Sequence, residues 1–333
     1  MSLRDKWVNA LYKAATNKMK VGIIGTGRIG TELLKRGTEK GWEIITATAS
    51  GVYAGEGEKI GELDNWFEYF RKLDIICLCI PTLDDGEIAF RYIKPLVENG
   101  KPVVTCEKGS LGNYFPELKP WIDKIGYSAT VGGGTRLLHW LKERLTPGIK
   151  EIHLIINGTL NYIFDGLSRG RTLDEMVEEA KRLGYAEPGA HGLAEVINTE
   201  AGKDIPMKTS VLLNICGFGE IRAKNIDVQT ITEEDLKRLA KEAISRRYIV
   251  SITREENKED MVGGFKFDLG GWHVSAGFKN CSNPLLLQLV LPGVSNAALI
   301  HGLDGIRLLK GPGAGAVSTV GSMMKDIENL LKV

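Results

Sequence analysis

Residues 20–30 read Lys-Val-Gly-Ile-Ile-Gly-Thr-Gly-Arg-Ile-Gly, an apolar run followed at once by three closely spaced glycines. A helix-like pattern continues to Lys40, and a second apolar run follows at residues 42–47. Strand, G-x-G-x-x-G turn, helix and strand in this order form the dinucleotide-binding fingerprint, in which backbone N–H groups approach a pyrophosphate. The sequence therefore predicts a Rossmann-type domain that binds a dinucleotide through Gly25, Thr26, Gly27, Arg28, Ile29 and Gly30.

The second predicted strand ends without the charged residue that usually selects the cofactor. An acidic side chain at this point holds the ribose hydroxyls of NAD, whereas an arginine accommodates the extra phosphate of NADP. Residues 47–51 read Ala-Thr-Ala-Ser-Gly, with no carboxylate and no arginine, although Lys59 lies downstream. Both NAD and NADP therefore stay open as the cofactor.

Two further apolar runs, at residues 74–81 and 102–106, flank a helix-like segment at residues 86–99. Continuous apolar runs are typical of parallel strands buried on both faces. Ligands of open α/β sheets lie beyond the carboxyl ends of such strands. Pro81, Thr82 and Lys108 follow those ends, so we expect them to face the cofactor crevice. Position alone fits a solvated lysine in a turn equally well for Lys108.

Charge and composition exclude several classes of protein. The 333 residues carry 43 basic and 42 acidic side chains, for a net charge of +1. This balance argues against a nucleic-acid partner and a polybasic membrane surface, and no apolar run approaches the roughly 20 residues of a membrane span. Residues 1–18 lack the apolar core of a secretory signal, and the odd count of five cysteines suits reduced thiols. We expect a cytoplasmic protein with a small-molecule substrate and no nucleic-acid or membrane partner.

The second half of the chain mixes weakly alternating runs with helix-like segments, which predicts an α+β domain. Strands are predicted at residues 151–156, 248–253, 264–269 and 285–291, and helices at residues 161–167, 172–183 and 202–216. Asp204 and Lys208 stand four residues apart and so share one face of the last of these helices. They could point together into a site, or they could form a solvated ion pair at the surface.

Seven motifs follow one another in a fixed order along nearly the whole chain from Met19. They are residues 25–30, 105–108, 129–134, 157–163, 185–188, 202–208, and 311–315 with Thr319 and Asp326. In this order they resemble the homoserine dehydrogenase family. The resemblance implies NAD(P)-dependent interconversion of L-homoserine and L-aspartate 4-semialdehyde. It also implies a homodimer built on the sheet of the second domain.

The resemblance implies roles for residues around the substrate. Lys208 and Lys108 look like the catalytic lysines, and hydride transfer needs such a proton donor beside the developing alkoxide. Glu187 and Asp204 look like the carboxylates that hold the amino group of the substrate and its water network. The residues that would line the remainder of the substrate pocket are Gly158, Thr159 and Tyr185.

Further roles concern the cofactor and a cation. Gly313 and Gly315 look like the loop that returns to the nucleotide domain and closes over the cofactor. The backbone carbonyls of Val131 and Gly133 could ligate a monovalent cation such as Na⁺. The acidic residue that the family usually carries at that cation site is Ser128 here.

The segment at residues 189–202 departs from the family pattern and resembles a remodelled loop beside the substrate pocket. Its usual D-P-x-x-D run is replaced by Gly-Ala-His-Gly at residues 189–192. Two alternatives to homoserine dehydrogenase therefore stay open. One is a dehydrogenase of a different amino or hydroxy acid, and the other is a catalytically silent dinucleotide-binding sensor.

We predict an α/β fold, with a Rossmann-type dinucleotide-binding domain and an α+β substrate and dimerisation domain. The predicted parts are an extension at residues 1–18, the NAD(P)-binding domain at 19–127, and the substrate and dimerisation domain at 128–300. The last segment, residues 301–333, is expected to pack back on the first domain as a glycine loop and a helix.

Overall fold

The computed structural model describes residues 18–185, 192–256, 260–313 and 315–332. Its strands are β1 (Lys20–Ile24), β2 (Glu43–Thr48), β3 (Gly51–Ala54), β4 (Lys59–Gly61), β5 (Ile75–Leu78), β6 (Val103–Thr105), β7 (Ile125–Gly126), β8 (Ile149–Ile155), β9 (Arg246–Thr253), β10 (Met261–Leu269), β11 (Trp272–Asn280), β12 (Ser295–Gly302) and β13 (Gly305–Pro312). Its α-helices are α1 (Arg28–Glu39), α2 (Trp66–Phe70), α3 (Glu87–Glu98), α4 (Gly109–Asn113), α5 (Phe115–Leu118), α6 (Leu137–Lys142), α7 (Gly158–Ser168), α8 (Leu173–Arg182), α9 (Leu193–Thr199), α10 (Ile205–Cys216), α11 (Glu233–Lys241), α12 (Pro284–Leu287) and α13 (Ala316–Leu331). A π-helical turn, Glu200–Asp204, joins α9 to α10.

The first sheet has the strand order β4-β3-β2-β1-β5-β6-β7. β1 lies between β2 and β5 and is parallel to both, and the parallel pairing continues through β6 and β7. β3 and β4 extend the other edge as antiparallel strands. The chain continues from β1 to β2 on one side and later returns to β5 on the other side. At such a switch point a crevice opens beyond the carboxyl end of β1. The prediction of an α/β fold with a Rossmann-type domain is confirmed.

Apolar side chains on β1 and β5 explain why these strands lie in the middle of the sheet. Val21, Ile23 and Ile75 are fully buried, and each buried side chain of this kind contributes about 1.5–3 kcal/mol to folding. Val320 and Met323 of α13 belong to the same apolar cluster. The helix expected near the end of the chain therefore packs on the first sheet.

The second sheet is antiparallel throughout, with the strand order β10-β11-β9-β8-β12-β13. One face packs on α7, where the rings of Phe164 and Phe278 lie 4.3 Å apart. On the opposite face, Leu286 and Leu289 cover Ile155, Ile249 and other apolar residues. The predicted α+β character of the second half is thus confirmed, because helices and an antiparallel sheet share one core.

Three predicted segments differ from the structure. Residues 285–291 are not a strand: α12 and a turn occupy them, because the side chain of Asn283 accepts a hydrogen bond from the Leu286 amide and starts a helix. The predicted loop at residues 189–202 is wrong where the structure describes it, since α9 begins at Leu193. The segment after residue 301 is not wholly a loop and helix, because β13 pairs with β12 in the second sheet.

Two further findings concern the cysteines and the lengths of the apolar helices. All five cysteines are free, and the three at positions 77, 79 and 281 are buried. Within the described residues, no helix is long and apolar enough to cross a membrane.

Two glycines of the fingerprint turn differ in the space around them, and this difference gives a test of the fold. A Cβ at Gly30 would lie 1.9 Å from the carbonyl oxygen of Gly25, whereas no described atom lies within 4 Å of a Cβ at Gly27. We expect Gly30→Ser to lower the free energy of unfolding by about 2 kcal/mol or more. The matched variant Gly27→Ser should change it by less than about 0.5 kcal/mol, because serine is favoured at a helix N-cap. Denaturant unfolding measures both, and equal losses would contradict this reading of the turn.

Candidate active site

The glycine turn between β1 and α1 leaves room for a ligand at the start of the helix. Gly25 has a φ of +92°, and its amide donates to the carbonyl of Ala47, which ties the turn to β2. α1 begins at Arg28, and no described side chain caps its first turn. The unpaired N–H groups of a helix N-terminus attract phosphate. The turn and the open space at Gly27 therefore fit the pyrophosphate of a dinucleotide.

A cavity of about 500 Å³ extends from this turn to the second half of the chain. It is lined by the predicted cofactor residues Arg28, Ile29, Lys108, Gly313 and Gly315, by the predicted substrate residue Tyr185 and the predicted catalytic residue Lys208, and by Gly133 of the predicted cation site. Cys106, Ala129, Thr130 and Thr319, which are not among the predicted site residues, also line it. The predicted cofactor and substrate residues thus meet in one cleft.

A second cavity, of about 300 Å³, lies where the adenosine ribose of a Rossmann ligand belongs. Thr26, Thr48, Ser50 and Tyr53 are among its lining residues. The Ser50 hydroxyl lies 2.8 Å from the Thr48 hydroxyl and accepts a hydrogen bond from the Tyr53 hydroxyl at 2.9 Å. Hydroxyl groups therefore follow the end of β2, where a carboxylate would select NAD, and the Glu56 side chain also lines this cavity.

Lys108, Asp204 and Lys208 form one ion-pair cluster, which we call the Lys-Asp-Lys cluster. The Lys108 Nζ lies 2.8 Å from Asp204 Oδ1, and the Lys208 Nζ lies 2.6 Å from Asp204 Oδ2. Lys208 also donates to the carbonyl of Ile156 at 3.0 Å. The predicted i, i+4 pair of Asp204 and Lys208 is thus an ion pair inside the molecule, since the Asp204 side chain is only 2% exposed.

The charge of Asp204 is stabilised by its partners. Burial alone would raise the pKa of this carboxyl. The positive charges of Lys108 and Lys208, with the hydrogen bonds that they donate, outweigh burial and hold the pKa of Asp204 well below its ordinary value. Asp204 is therefore an anion throughout the neutral range, and it binds both lysines at once.

Two backbone arrangements bring this cluster together. Lys108 follows β6, and the buried Glu107 carboxylate accepts hydrogen bonds from the Ser110 amide and the Thr82 hydroxyl. Glu107 thereby fixes the turn that carries Lys108 to the loop after β5. On the opposite side, the π-helical turn precedes α10 and places Asp204 beside Lys208.

Two polar residues of the cluster were not predicted individually. The Asn157 amide Nδ2 donates to Glu200 Oε2 at 2.6 Å and to Asp204 Oδ2 at 2.8 Å. The Asn157 Oδ1 also accepts from the Leu160 amide and so starts α7. Glu200, Asp204 and Lys208 recur every four residues, and this spacing is the signal in the sequence that could have indicated Glu200.

The other predicted substrate residues lie around this cluster with different contacts. The Thr159 hydroxyl donates to the carbonyl of Tyr185 at 2.6 Å, so it holds the end of the loop that carries Tyr185. Gly158 packs against the backbone of Val294, where a Cβ would lie 2.9 Å from the carbonyl oxygen. Glu187 lies outside the described residues. The predicted cofactor residues Pro81 and Thr82 line a third cavity, next to Lys108.

The predicted cation site offers few free ligands. The carbonyl of Gly133 accepts a hydrogen bond from the Ser322 hydroxyl at 2.8 Å. Ser128 donates through its amide and its hydroxyl to Asp326. Across the described ranges, no group of three or more His, Cys, Asp or Glu side chains could hold a metal ion. A cation on the carbonyls of Val131 and Gly133 stays a prediction, and no step of the chemistry is derived through one.

Family models match both halves of the chain. The homoserine dehydrogenase model matches residues 140–327, more than half of the sequence. The model of the NAD-binding domain of D-isomer specific 2-hydroxyacid dehydrogenases matches residues 2–91. The second match agrees with the glycine turn, and the first covers the Lys208 part of the cluster.

Individual relatives support the same assignment. A homoserine dehydrogenase of Pyrococcus horikoshii is 26% identical over 344 residues, which cover 93% of this chain and 96% of the relative. An NAD(+)-dependent homoserine dehydrogenase of Pseudomonas canavaninivorans is 25% identical over 251 residues, 73% of this chain and 66% of the relative. A solved hyperthermophilic archaeal homoserine dehydrogenase in complex with NADPH has a TM-score of 0.67 at 24% identity, covering 95% of this chain and 99% of that one. The predicted class, an NAD(P)-dependent oxidoreductase, is confirmed, and the chain belongs to the homoserine dehydrogenase family.

Proposed function

We propose that the Lys-Asp-Lys cluster carries out the proton transfer in the interconversion of L-homoserine and L-aspartate 4-semialdehyde. One observation carries this proposal: two lysines bind a single buried carboxylate at the point where the cofactor cleft meets the third cavity. A proton donor or acceptor must stand next to the reacting oxygen. Lys208 lines the cofactor cleft and Lys108 lines both cavities, so both lysines can reach a substrate held between them.

The residues of the chain divide the work of the reaction. Bound NAD or NADP supplies the hydride acceptor or donor at its nicotinamide ring. The turn at Gly25 and Gly27 receives the pyrophosphate, because a side chain at Gly27 would fill the open space there. In the direction of reduction the Lys208 ammonium gives a proton to the alkoxide oxygen that develops on the substrate, and oxidation is the reverse of this step.

Asp204 and Ile156 position the reacting lysine. The Asp204 carboxylate and the Ile156 carbonyl together hold the Lys208 Nζ at 2.6 Å and 3.0 Å. Lys108 contributes a second positive charge beside the reacting oxygen of the substrate. This charge stabilises the alkoxide that develops in the transition state. Its ion pair with Asp204 keeps this charge in place before substrate binds.

The assembly and location of the protein are further parts of the proposal. Leu287 and Ile306 lie on the outer side of the second sheet and are 56% and 48% exposed. Contiguous patches of exposed apolar side chains are typical of surfaces that bind another chain, whereas single exposed ones occur on any protein. We infer a homodimer formed through this side of the sheet, working in the cytoplasm in amino-acid biosynthesis. The four-part division at residues 18, 127 and 300 stays a prediction.

Replacing Lys208 tests the proposed proton donor. We expect Lys208→Ala to lower kcat for L-homoserine oxidation on the order of a hundredfold or more, because a positioned acid–base group contributes that much. The dissociation constant of the cofactor should stay nearly unchanged. Steady-state kinetics and a cofactor titration measure the two quantities. Lys237→Ala, on the exposed face of α11, is the matched control. Near-wild-type turnover of Lys208→Ala would contradict the assignment of Lys208 as the proton donor.

Replacing Asp204 tests how much its buried charge contributes to the stability of the fold. Its pKa is lowered in the folded chain, so its charge stabilises the fold above the unfolded value of about 3.9. That contribution disappears as the pH falls toward the folded value. We expect Asp204→Asn to lower the free energy of unfolding by about 3 kcal/mol or more at pH 7, since two lysines lose a buried partner.

The pH series supplies the check on this prediction. The stability difference between wild type and Asp204→Asn should be constant between about pH 5 and 8 and smaller at pH 3. The surface variant Asp304→Asn should differ from wild type by less than about 0.5 kcal/mol. A difference for Asp204→Asn that is small at pH 7, or as large at pH 3, would refute the role of this charge.

A further inference from the structure

Two cysteines lie side by side at the floor of the cofactor cleft. β5 and β6 are parallel, and the last pair of their ladder places Leu78 opposite Thr105. The next residue on each strand is a cysteine, Cys79 on one and Cys106 on the other, so the two continue the same register. Both pack in the apolar cluster that contains side chains of α1 and α13. Their side chains therefore point to the same face of the sheet from neighbouring strands.

The spacing of the two strands fits a disulfide. Neighbouring strands lie about 4.8 Å apart, and the Cα atoms of a disulfide are usually about 4.4 to 6.8 Å apart. The Cys106 thiol points toward β5, since it donates to the carbonyl of Leu78 at 3.8 Å. A hydrogen bond between the two thiols, together with burial, raises the pKa of Cys79 well above its ordinary value. The two thiols are thus already in contact, and a bond between them needs only a local adjustment.

The two cysteines differ in their access to the cleft. Cys106 is partly exposed and lines the cavity of about 500 Å³ that extends from the glycine turn. Cys79 is only 7% exposed. A small oxidant that enters the cleft therefore meets Cys106 first, and Cys79 is the thiol that can react with it afterwards. A bound dinucleotide would cover Cys106 and slow this reaction.

The backbone at Cys79 contacts the turn that fits the pyrophosphate. The Cys79 amide donates to the carbonyl of Ile24 at 2.8 Å. A Cβ at Gly25 would lie 2.8 Å from the Cys79 carbonyl oxygen, and a Cβ at Gly30 would lie 3.4 Å from the Cys79 Cβ. Because these atoms are close-packed, a movement of Cys79 toward Cys106 also moves its contacts with the glycine turn.

We infer that Cys79 and Cys106 form a reversible disulfide in the presence of a peroxide, and that this bond weakens the binding of the dinucleotide. Hydrogen peroxide converts the Cys106 thiol into a sulfenic acid and releases one water. The Cys79 sulfur then attacks the Cys106 sulfur, the S–S bond forms, and a second water leaves. Two thiols and one peroxide thus give one disulfide and two waters, and a dithiol reductant reverses the change. The inference does not depend on the proposed proton transfer.

The test measures the bond and the affinity in the same samples. The purified chain is treated with hydrogen peroxide, and its peptides are then mapped by mass spectrometry without reduction. We expect a peptide pair that joins Cys79 to Cys106 and lacks two hydrogen atoms, formed more slowly when NADH or NADPH is present. The dissociation constant of the reduced cofactor should rise about fivefold or more, as for other coupled sites. Dithiothreitol should restore the original value.

Two variants show which thiols are responsible. Peroxide should change the dissociation constant of Cys106→Ser by less than about twofold from its own untreated value, because no thiol then lines the cleft. Cys216→Ser is the matched control, since Cys216 lies on α10 and should leave the response to peroxide as in the wild type. Thermal unfolding checks that each variant is folded.

Three outcomes would overturn the inference. The first is the absence of a Cys79–Cys106 peptide pair from the oxidised wild-type chain. The second is a complete disulfide with an unchanged dissociation constant, and the third is an equal response to peroxide in Cys106→Ser. None of these results depends on turnover of L-homoserine, so a failure of the proposed function would be seen separately.

Discussion

The buried carboxylate of Asp204 is the group that holds the two halves of the site together. Lys108 comes from the end of β6 in the first sheet, whereas Asp204 and Lys208 come from the helical segment of the second half. Buried charges are costly unless they are paired and hydrogen-bonded, and here one anion has two ammonium partners and an amide from Asn157. The distance between the cofactor turn and the proposed reacting lysine is therefore set by an electrostatic contact across the cleft.

The parts of the fold and site that follow from local sequence were predictable. β1 and β5 are continuous apolar runs because helices or loops cover both of their faces, and the G-x-G-x-x-G turn can take few other roles between a strand and a helix. The i, i+4 spacing of Asp204 and Lys208 was sufficient to place them on one helix face. Their burial was not visible in this spacing, because a surface ion pair has the same spacing.

The parts that depend on distant partners were not predictable in the same way. Asn157 meets Glu200 and Asp204 across more than 40 residues, so no local pattern reveals that contact. The run at residues 285–291 was apolar enough for a strand, but Pro284 and the Asn283 cap start a helix there. α9 was hidden by the glycines before it, although Glu195 accepts a hydrogen bond from the Gly192 amide at its start. The glycines favour a loop in the prediction, and composition alone does not reveal the helix cap that follows them.

The most direct measurement is the absorbance of reduced cofactor when the purified chain is mixed with L-homoserine and either NAD or NADP. The account predicts that reduced cofactor appears with L-homoserine and does not appear with amino acids whose hydroxyl is at another carbon. Tight binding of the cofactor without any turnover of L-homoserine would contradict it. In that case the Lys-Asp-Lys cluster would belong to a dinucleotide-binding protein that does not oxidise this substrate.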